Sequence, residues 1–262
     1  MAETAIVTGG SSGIGLAAAR ALRDRGLRVY VLSRRPYTEK GLHHICADVS
    51  DEQQCAYAVQ EVLRLAGDFS LLVNCAGFGI SGAIEFTELA DAKKQMDVNF
   101  FGTVNLCKAV LPHFRKRGGG RIVNVSSVAA PAAIPFQAFY SASKAAINDY
   151  TAALANEVRP FGITAAAVQP GDIATGFTAA REKSAAGDDV YGGRISKSVR
   201  KMEHDEQNGM DPRTAGNYIA KIAMKRHPKP VYTIGFSYKA ICVLLKLLPS
   251  RLANWAIGKL YT

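Results

Sequence analysis

Residues 4–25 of the chain read TAIVTGGSSGIGLAAARALRDR, and this stretch decides the fold. The first five residues are mostly apolar or β-branched and predict a buried strand at 4–8. Positions 9–15 are glycines and serines apart from Ile14, and the alanine-rich segment 14–25 is typical of a helix. Glycines in such a loop let backbone N–H groups approach a phosphate without a Cβ in the way. We therefore expect a strand, a tight turn and a helix whose positive end faces a dinucleotide pyrophosphate.

Short apolar runs alternate with longer helical patterns along the rest of the chain. Strands are predicted at 4–8, 28–33, 43–47, 71–74, 121–126, 163–169 and 230–234, and helices at 14–25, 51–65, 87–117, 138–158 and 212–223. The alternation indicates βαβ units, and the apolar strands indicate helices on both faces. We expect an α/β fold: one Rossmann-like domain over residues 1–262, with a doubly wound parallel sheet of about seven strands. The 87–117 pattern is long enough that we expect a break within it.

Composition excludes several classes of protein. The chain has 262 residues, 48% hydrophobic and 21% charged, which excludes a disordered protein. Its net charge is +10, but the basic residues are scattered and no nucleic-acid-binding motif accompanies them, so no nucleic-acid partner is predicted. The five cysteines lack Cys-x-x-Cys spacing and the histidines lack metal-ligand spacing. We expect a reduced, cytoplasmic protein with no metal site and no signal peptide.

Two segments depart from the alternating pattern. Residues 172–209 are polar and charged and are predicted to form an irregular substrate lid. Residues 236–262 form an apolar C-terminal segment, whose run at 240–248 is too short to span a bilayer, since a span needs roughly 20 apolar residues. The favoured interpretation is a helix buried against the core or a partner subunit. A segment that covers the pocket or contacts a membrane peripherally is the less favoured alternative.

The end of the second predicted strand indicates which dinucleotide binds. An NAD site would have Asp or Glu there, to hydrogen-bond the ribose 2′-hydroxyl. Residues 32–36 instead read LSRRP. The guanidinium groups of Arg34 and Arg35 suit a 2′-phosphate, and the hydroxyl of Ser33 can donate a hydrogen bond to it. We therefore predict NADP(H) as the cofactor.

A second group of residues is suited to proton transfer. Tyr140 and Lys144 are four residues apart in a predicted helix and share one face. A free tyrosine has a pKa of about 10, and a neighbouring ammonium or an oxidised nicotinamide ring would lower that pKa. Ser127 follows the strand at 121–126, at the edge of the sheet where ligands bind.

At these positions the chain resembles the short-chain dehydrogenase/reductase family over nearly its whole length. The glycine motif of the family is matched by Thr8-Gly9-x-x-x-Gly13-x-Gly15, and its Asn-x-Ala-Gly motif by Asn74-Cys75-Ala76-Gly77. Further matches, from the acidic residue beside the adenine to the segment beside the nicotinamide amide, are Asp48, Asn99, Ser127, Tyr140, Lys144, Pro170, Gly171 and Thr175. The matches follow the order and spacing of the family, with no departure at a catalytic position.

The resemblance implies a role for each catalytic residue. Tyr140 would donate a proton to the carbonyl oxygen and act as the base in the reverse direction. Lys144 would bind the nicotinamide ribose and lower the tyrosine pKa. Ser127 would hydrogen-bond the substrate oxygen, so Ser127 and Tyr140 are the predicted substrate-binding residues. Asn99 would hold a water that relays protons through Lys144 to solvent.

The resemblance also implies the cofactor contacts and the assembly. The predicted cofactor-binding residues are Gly9, Ser11, Ser12, Gly13, Ile14, Ser33, Arg34, Arg35, Asp48, Val49, Asn74, Ala76, Gly77, Tyr140, Lys144, Pro170, Gly171, Ile173 and Thr175. The helices at 87–117 and 138–158 would pack against their symmetry mates in a homodimer or homotetramer.

Together these features predict an NADP(H)-dependent oxidoreductase that interconverts a carbonyl and a secondary alcohol. The alternative is a non-catalytic NADP-binding sensor, which would be expected to lack the tyrosine or the lysine. The apolar tail, with Phe78, Phe136, Phe177 and Tyr191, favours a lipophilic substrate such as a steroid or an acyl lipid ketone. The basic residues of the lid, which are Arg181, Lys183, Arg194, Lys197, Arg200 and Lys201, suggest an anionic group on that substrate.

Overall fold

The structure is a computed structural model that describes residues 3–261. The strands are β1 (Thr4–Thr8), β2 (Arg28–Ser33), β3 (Leu42–Cys46), β4 (Leu71–Asn74), β5 (Ile80–Ser81), β6 (Gly120–Val125), β7 (Ile163–Gln169), β8 (Glu182–Lys183) and β9 (Val231–Thr233). The helices are α1 (Gly13–Arg23), α2 (Glu52–Ala66), α3 (Leu89–Met96), α4 (Gly102–Arg117), α5 (Ala138–Glu157), α6 (Phe177–Ala180), α7 (Arg194–Gln207), α8 (Pro212–Ala223), α9 (Phe236–Leu247) and α10 (Ser250–Tyr261). The predicted strands and helices are confirmed, with their ends shifted by one or two residues.

Seven of these strands form one parallel sheet in the order β3-β2-β1-β4-β6-β7-β9, which confirms the predicted doubly wound α/β fold. The chain runs outward from β1 to β3 and then returns to β4, on the other side of β1. The order therefore reverses between β1 and β4, where Thr8 pairs with Asn74. In such sheets ligands bind beyond the carboxyl ends of the strands at this reversal.

Helices cover both faces of the sheet, as the apolar strands predict. One face packs against α1 and α8, and the other packs against α2, α4 and α5. The alanines of α1 allow an unusually close helix contact. A Cβ added to Gly216 of α8 would lie 2.4 Å from the carbonyl carbon of Ala17, so the two backbones touch. This contact fixes α1, whose N-terminus borders the carboxyl end of β1.

The long pattern at 87–117 breaks as predicted. It begins as α3, passes through a π turn at Asp97–Phe101, and continues as α4. Gly118 then ends α4 with a φ of +75°, a left-handed conformation that glycine adopts at little cost.

The segments 172–209 and 236–262, which depart from the alternating pattern, contain more regular structure than the sequence predicted. The prediction of an irregular lid at 172–209 is wrong over Arg194–Gln207, which forms α7. Ile195, Ser198 and Met202 of α7 are buried at helical spacing, and this thin buried stripe is masked in the sequence by charged neighbours. The C-terminal segment forms α9 and α10. No helix in the described part of the chain is long and apolar enough to cross a membrane.

Candidate active site

A cleft of about 640 Å³ opens at the carboxyl ends of β1, β4, β6 and β7. Its walls come from the loops that follow these strands, from α5, and from the C-terminal helices. The cleft therefore lies at the topological reversal of the sheet, where the fold predicts a ligand.

The turn after β1 is a tight glycine turn at the edge of the cleft. Gly9 and Gly13 have φ values of +64° and +53°, in the left-handed region that favours glycine. A Cβ added to Gly9 would lie 2.9 Å from the Cα of Ala76, and one added to Gly15 would lie 2.4 Å from the carbonyl oxygen of Gly9. The side chain of Ser12 caps none of the first N–H groups of α1. This cradle fits the pyrophosphate of a dinucleotide.

The segment after β2 carries two arginines and no carboxylate before Glu39. Arg35 lines the cleft, whereas Arg34 is exposed outside its lining. The hydroxyl of Ser33 donates to the carbonyl oxygen of Arg35 at 3.0 Å, which shapes the turn. The Glu39 carboxylate pairs with arginines of α1. The geometry leaves the Arg35 guanidinium available to an anionic group in the cleft.

Tyr140 and Lys144 face the cleft from α5. The Nζ of Lys144 lies 5.7 Å from the centroid of the Tyr140 ring, and it donates to the carbonyl oxygen of Val125 at 3.0 Å. The Ser126 hydroxyl donates to the carbonyl oxygen of Lys144 at 2.8 Å, so two hydrogen bonds fix α5 to the end of β6. The side chain of Ser127 hydrogen-bonds Tyr140. The structure thus brings together the three residues that the sequence predicted as the catalytic core.

Burial sets the proton affinities of the tyrosine and the lysine. It raises the pKa of Tyr140 to about 12, although the hydrogen bond with Ser127 acts in the opposite direction. It lowers the pKa of Lys144 to about 8. Lys144 is not among the main influences on the tyrosine pKa, so the expected lowering by its ammonium stays a prediction. The phenol of Tyr140 is therefore protonated at neutral pH and has a proton to donate.

Asn99 lies fully buried in the π turn and does not itself line the cleft. Its Oδ1 accepts from the N–H of Phe78 at 3.0 Å, while its Nδ2 donates to the Phe78 carbonyl oxygen at 3.0 Å and to the Oγ of Ser143 at 3.1 Å. A Cβ added to Gly77 would lie 3.0 Å from that Oδ1 and 3.6 Å from the Nζ of Lys144. Asn99 therefore fixes the backbone beside the lysine, and the water that it was predicted to hold stays a prediction.

Most of the predicted cofactor-binding residues line the cleft. They are Gly9, Ser12, Gly13, Ile14, Arg35, Ala76, Gly77, Tyr140, Lys144, Pro170, Gly171, Ile173 and Thr175. The others lie outside its lining, and their contact with a cofactor stays a prediction: Ser11, Ser33, Arg34, Asp48, Val49 and Asn74. Asp48 accepts hydrogen bonds from the N–H and the hydroxyl of Ser50.

The side chain of Asn74 has a role inside the fold, and its contact with a cofactor stays a prediction. It is buried, and its Nδ2 donates to the Oδ1 of Asn124 at 2.9 Å. The Nδ2 of Asn124 in turn donates to the Thr151 hydroxyl at 2.9 Å. The side chain of Asn74 therefore joins β4 to β6 and α5 inside the fold and positions the strand ends, rather than reaching into the cleft.

The far end of the cleft is formed by the C-terminal helices. Its apolar lining from this segment consists of Ile241, Leu244, Leu245, Leu248, Ala256, Ile257 and Leu260. The segment thus lines the cleft, as the pocket-covering alternative predicts, and its packing against a partner subunit stays a prediction. A Cβ added to Gly171 would lie 2.3 Å from the Tyr238 ring, so this glycine admits α9 to the site. That contact joins residues distant in sequence, and no local sequence pattern predicts it.

Acidic side chains lie at the junction between the two ends of the cleft. Asp172 and Glu206 both line it. The hydroxyl of Tyr238 donates to the Oδ2 of Asp172 at 2.6 Å, and burial raises the pKa of this carboxyl. Glu206 is paired with Arg181, whose side chain is almost completely buried. Glu206 therefore forms an ion pair at the cleft, whereas Asp172 forms none with any cationic side chain within residues 3–261.

The lid cations and aromatic residues are only partly where the sequence suggested. No lid cation lines the cleft: three of the six, Arg181, Lys183 and Lys201, pair with acidic residues of α7. The suggestion of an anionic substrate group therefore loses its support. Phe78 and Phe177 line the cleft. Phe136 and Tyr191 instead pack against each other in a separate apolar cluster, with ring centroids 5.6 Å apart.

Comparison with known proteins identifies the family. The short chain dehydrogenase family model matches residues 3–186, which span β1 to the start of the lid. The chain therefore belongs to the short-chain dehydrogenase/reductase family of oxidoreductases. A solved short-chain dehydrogenase from Streptomyces avermitilis has 28% identity and a TM-score of 0.84, with 98% of this chain and 97% of that chain covered. The solved structure of ElxO with NADP bound has 25% identity and a TM-score of 0.76, with 92% and 100% covered.

Curated relatives match over nearly their whole length. A 3-ketodihydrosphingosine reductase of Bacteroides thetaiotaomicron is 38% identical over 260 residues, covering 98% of this chain and 97% of the relative. A probable short-chain type dehydrogenase/reductase of Helicobacter pylori is 30% identical, covering 94% of this chain and 93% of the relative. The similarity to the Bacteroides protein includes the C-terminal helices, which lie beyond the match to the family model.

Proposed function

We propose that the protein is an NADP(H)-dependent carbonyl reductase that converts a long-chain ketone to a secondary alcohol. The observation that carries this proposal is the cleft itself. A phosphate cradle borders one end of it, Tyr140 and Lys144 lie along it, and the apolar faces of α9 and α10 line the other end. This arrangement suits hydride transfer from a dinucleotide to a lipophilic carbonyl compound.

The cofactor proposed is NADP(H) rather than NAD(H). When bound, it supplies the hydride for reduction and receives one in the oxidative direction. The turn after β1 would hold its pyrophosphate through backbone N–H groups. The Arg35 guanidinium would pair with the 2′-phosphate, and the segment after β2 offers no carboxylate for a 2′-hydroxyl.

The residues of the chain supply the proton and the orientation. Tyr140, which is protonated at neutral pH, would donate its phenolic proton to the substrate oxygen as the C–H bond forms at the carbonyl carbon. The Ser127 hydroxyl would donate a hydrogen bond to the same oxygen, where negative charge develops. Lys144 would contact the nicotinamide ribose and return a proton to the tyrosine. The net change would convert one carbonyl and one NADPH to one alcohol and one NADP⁺, with one proton taken up.

The substrate proposed is an acyl lipid ketone of the 3-ketodihydrosphingosine type. The Bacteroides relative carries that activity in its name, and its similarity to this chain extends through the C-terminal helices. Such a molecule has a long alkyl chain, which the apolar lining of α9 and α10 would hold. It also has an ammonium group next to the carbonyl carbon. The carboxylate of Asp172 lies at the cleft in a position to receive this cation, whereas a steroid ketone would leave it unpaired.

A homodimer or homotetramer stays part of the proposal. The family resemblance implies that the helices at 87–117 and 138–158 would pack against their symmetry mates. Light scattering at micromolar concentration should then give a multiple of the 28.0 kDa chain mass. A monomer would contradict the assembly and would leave the proposed chemistry untouched.

Turnover of NADPH in a substrate panel tests the proposed function. The purified protein would receive NADPH with 3-ketodihydrosphingosine, a long-chain ketone without an amino group, a steroid ketone, a sugar and a quinone. We expect the fastest NADPH oxidation with 3-ketodihydrosphingosine, and dihydrosphingosine as the product by mass spectrometry. Oxidation with none of the ketones, despite NADPH binding, would favour the sensor alternative. Preference for the steroid would contradict the substrate but not the reaction.

A further inference from the structure

The C-terminal hairpin formed by α9 and α10 exposes much of its apolar surface. Its large apolar side chains that are 46–90% exposed are Phe236, Ile241, Val243, Leu244, Leu247, Leu252, Trp255 and Leu260. The described residues have ten other exposed large apolar side chains, and these are spread over positions 57–231. Exposed apolar surface concentrated in this way marks an interaction site rather than ordinary surface.

The exposed side chains follow helical spacing. Phe236, Val243 and Leu247 of α9 recur at seven- and four-residue intervals and form one stripe. Leu252 and Trp255 lie three residues apart near the start of α10, just after the turn that joins the helices. We call these five side chains the hairpin face. The opposite sides of both helices line the cleft, so each helix has two apolar faces. The five side chains of the hairpin face are 47–90% exposed.

The charges on the hairpin have a single sign. Lys239, Lys246, Arg251 and Lys259 are all exposed, and residues 236–262 contain no Asp or Glu. A second copy of the chain docked through the same face about a two-fold axis would bring these cations against their equivalents. An anionic surface with an apolar interior satisfies both the charges and the apolar side chains. A tryptophan and lysines beside apolar residues are also typical of membrane interfaces.

We propose that the hairpin face binds the surface of an anionic lipid bilayer, with α9 and α10 lying in the interfacial plane. Each helix has 12 residues and is too short to span the bilayer, so the contact is peripheral. Ile241, Leu244 and Leu260 both line the cleft and are exposed, which puts the apolar rim of the cleft on the same hairpin. A lipid ketone would pass from the bilayer into the cleft there. This last step rests on the proposed function, but bilayer binding does not.

The single tryptophan of the chain, Trp255, is 61% exposed on the hairpin face and reports on binding directly. We would add the full-length protein to vesicles of phosphatidylglycerol and phosphatidylcholine in equal amounts, and to vesicles of phosphatidylcholine alone. With the anionic vesicles we expect a blue shift of Trp255 emission and quenching by brominated acyl chains. With the neutral vesicles the shift should be much smaller, and added salt should reduce binding to the anionic ones.

Matched variants separate this face from the rest of the surface. Leu247→Glu should reduce the bound fraction in flotation by about tenfold or more, because a charge must then enter the apolar layer. Leu65→Glu, on α2, is the control and should bind as the unmodified protein does. The double variant Lys246→Glu with Arg251→Glu should also lose binding, unlike Lys93→Glu with Lys116→Glu, which makes the same change in net charge. NADPH binding by each variant verifies that it is folded.

Two results would overturn the proposal. One is unchanged Trp255 emission with anionic vesicles. The other is a blue shift of Trp255 emission that appears without lipid as the protein concentration rises, accompanied by a dimer. If Leu247→Glu abolished both the shift and the dimer, the hairpin face would be a contact between two copies of the chain. Either result leaves NADPH turnover in detergent micelles unaffected, so failure here is distinguishable from failure of the proposed function.

Discussion

The two ends of the cleft are built in different ways. The cofactor end is made of backbone: glycines at 9 and 13 with positive φ, and an uncapped helix N-terminus. The substrate end is made of side chains from α6, α7, α9 and α10, which come from the last third of the chain. Backbone geometry constrains residue type at fixed spacing, so the cofactor end is visible as a motif. An apolar wall accepts many sequences, so the substrate end is set by tertiary packing and can vary within one fold.

Tyr140 lies between the two ends of the cleft, and removing its phenolic hydroxyl removes the proposed proton donor. In Tyr140→Phe we expect turnover to fall by about 10²–10⁴-fold, the range for loss of a general acid. NADPH affinity should stay nearly unchanged, because the cradle of the cofactor end is untouched. Steady-state kinetics and a fluorescence titration with NADPH check the two halves of this prediction.

The same helix offers a control for this variant. Tyr150 also lies on α5 but outside the cleft lining, where its ring packs against Phe100. Tyr150→Phe should keep near-normal turnover. Equal loss in both variants would mean that α5 is sensitive to packing and that Tyr140 has no special chemical role.

Charge reversal after β2 alters only the cofactor end. In Arg35→Asp we expect the preference for NADPH over NADH to fall by roughly 10–150-fold, since a hydrogen bond to a charged group contributes about 1.5–3 kcal/mol. Arg34→Asp makes the same charge change outside the cleft lining and should have a smaller effect. Ratios of kcat/KM for the two cofactors measure this. Equal use of both cofactors by the unmodified protein would contradict the NADP(H) proposal.

Neutralising Asp172 alters only the substrate end. In Asp172→Asn we expect KM for 3-ketodihydrosphingosine to rise by about tenfold, from loss of one partly solvated charge pair. KM for a long-chain ketone without an amino group should change little, and NADPH affinity should not change. A parallel rise for both ketones would show that Asp172 acts on the shape of the cleft through Tyr238 and not on the ammonium group.

A pH profile gives the smallest expected effect. The Lys144 ammonium, with a lowered pKa of about 8, is present below that pH and lost above it. We expect kcat/KM for NADPH to fall several-fold as pH rises through about 8, since this parameter reports groups of the free enzyme. Tyr140, with its pKa raised to about 12, contributes nothing to this step. In Lys144→Arg the inflection should disappear, because arginine keeps its charge. A flat profile for the unmodified protein would contradict a role for the ammonium.

The sequence predicted the sheet, its helices and the proximity of Ser127, Tyr140 and Lys144 because each follows from a local rule. The apolar strands predict burial on both faces, and the four-residue spacing of Tyr140 and Lys144 predicts a shared face. The position of Ser127 at a strand end was sufficient to place it beside them. The π turn at Asn99 was anticipated only as a break, since no local pattern distinguishes it from an ordinary kink.

The remaining features depend on contacts between distant segments. The contact of Tyr238 with Gly171 and Asp172, which admits α9 to the cleft, joins residues 66 and 67 positions apart. The raised pKa of Tyr140 comes mainly from burial, which residue spacing does not reveal. Asn74 matched a family motif correctly but serves the interior of the sheet, so a sequence match did not specify where its side chain acts.

Isotope transfer tests the central claim most directly. The protein would be given 3-ketodihydrosphingosine and NADPH deuterated at its hydride-donating carbon, and the lipid product would be analysed by mass spectrometry. The account predicts dihydrosphingosine with a single deuterium on the carbinol carbon, formed by the unmodified protein and formed at least about 10²-fold more slowly by Tyr140→Phe. NADPH binding without any deuterated alcohol would contradict it and would favour a sensor that uses the same fold without the chemistry.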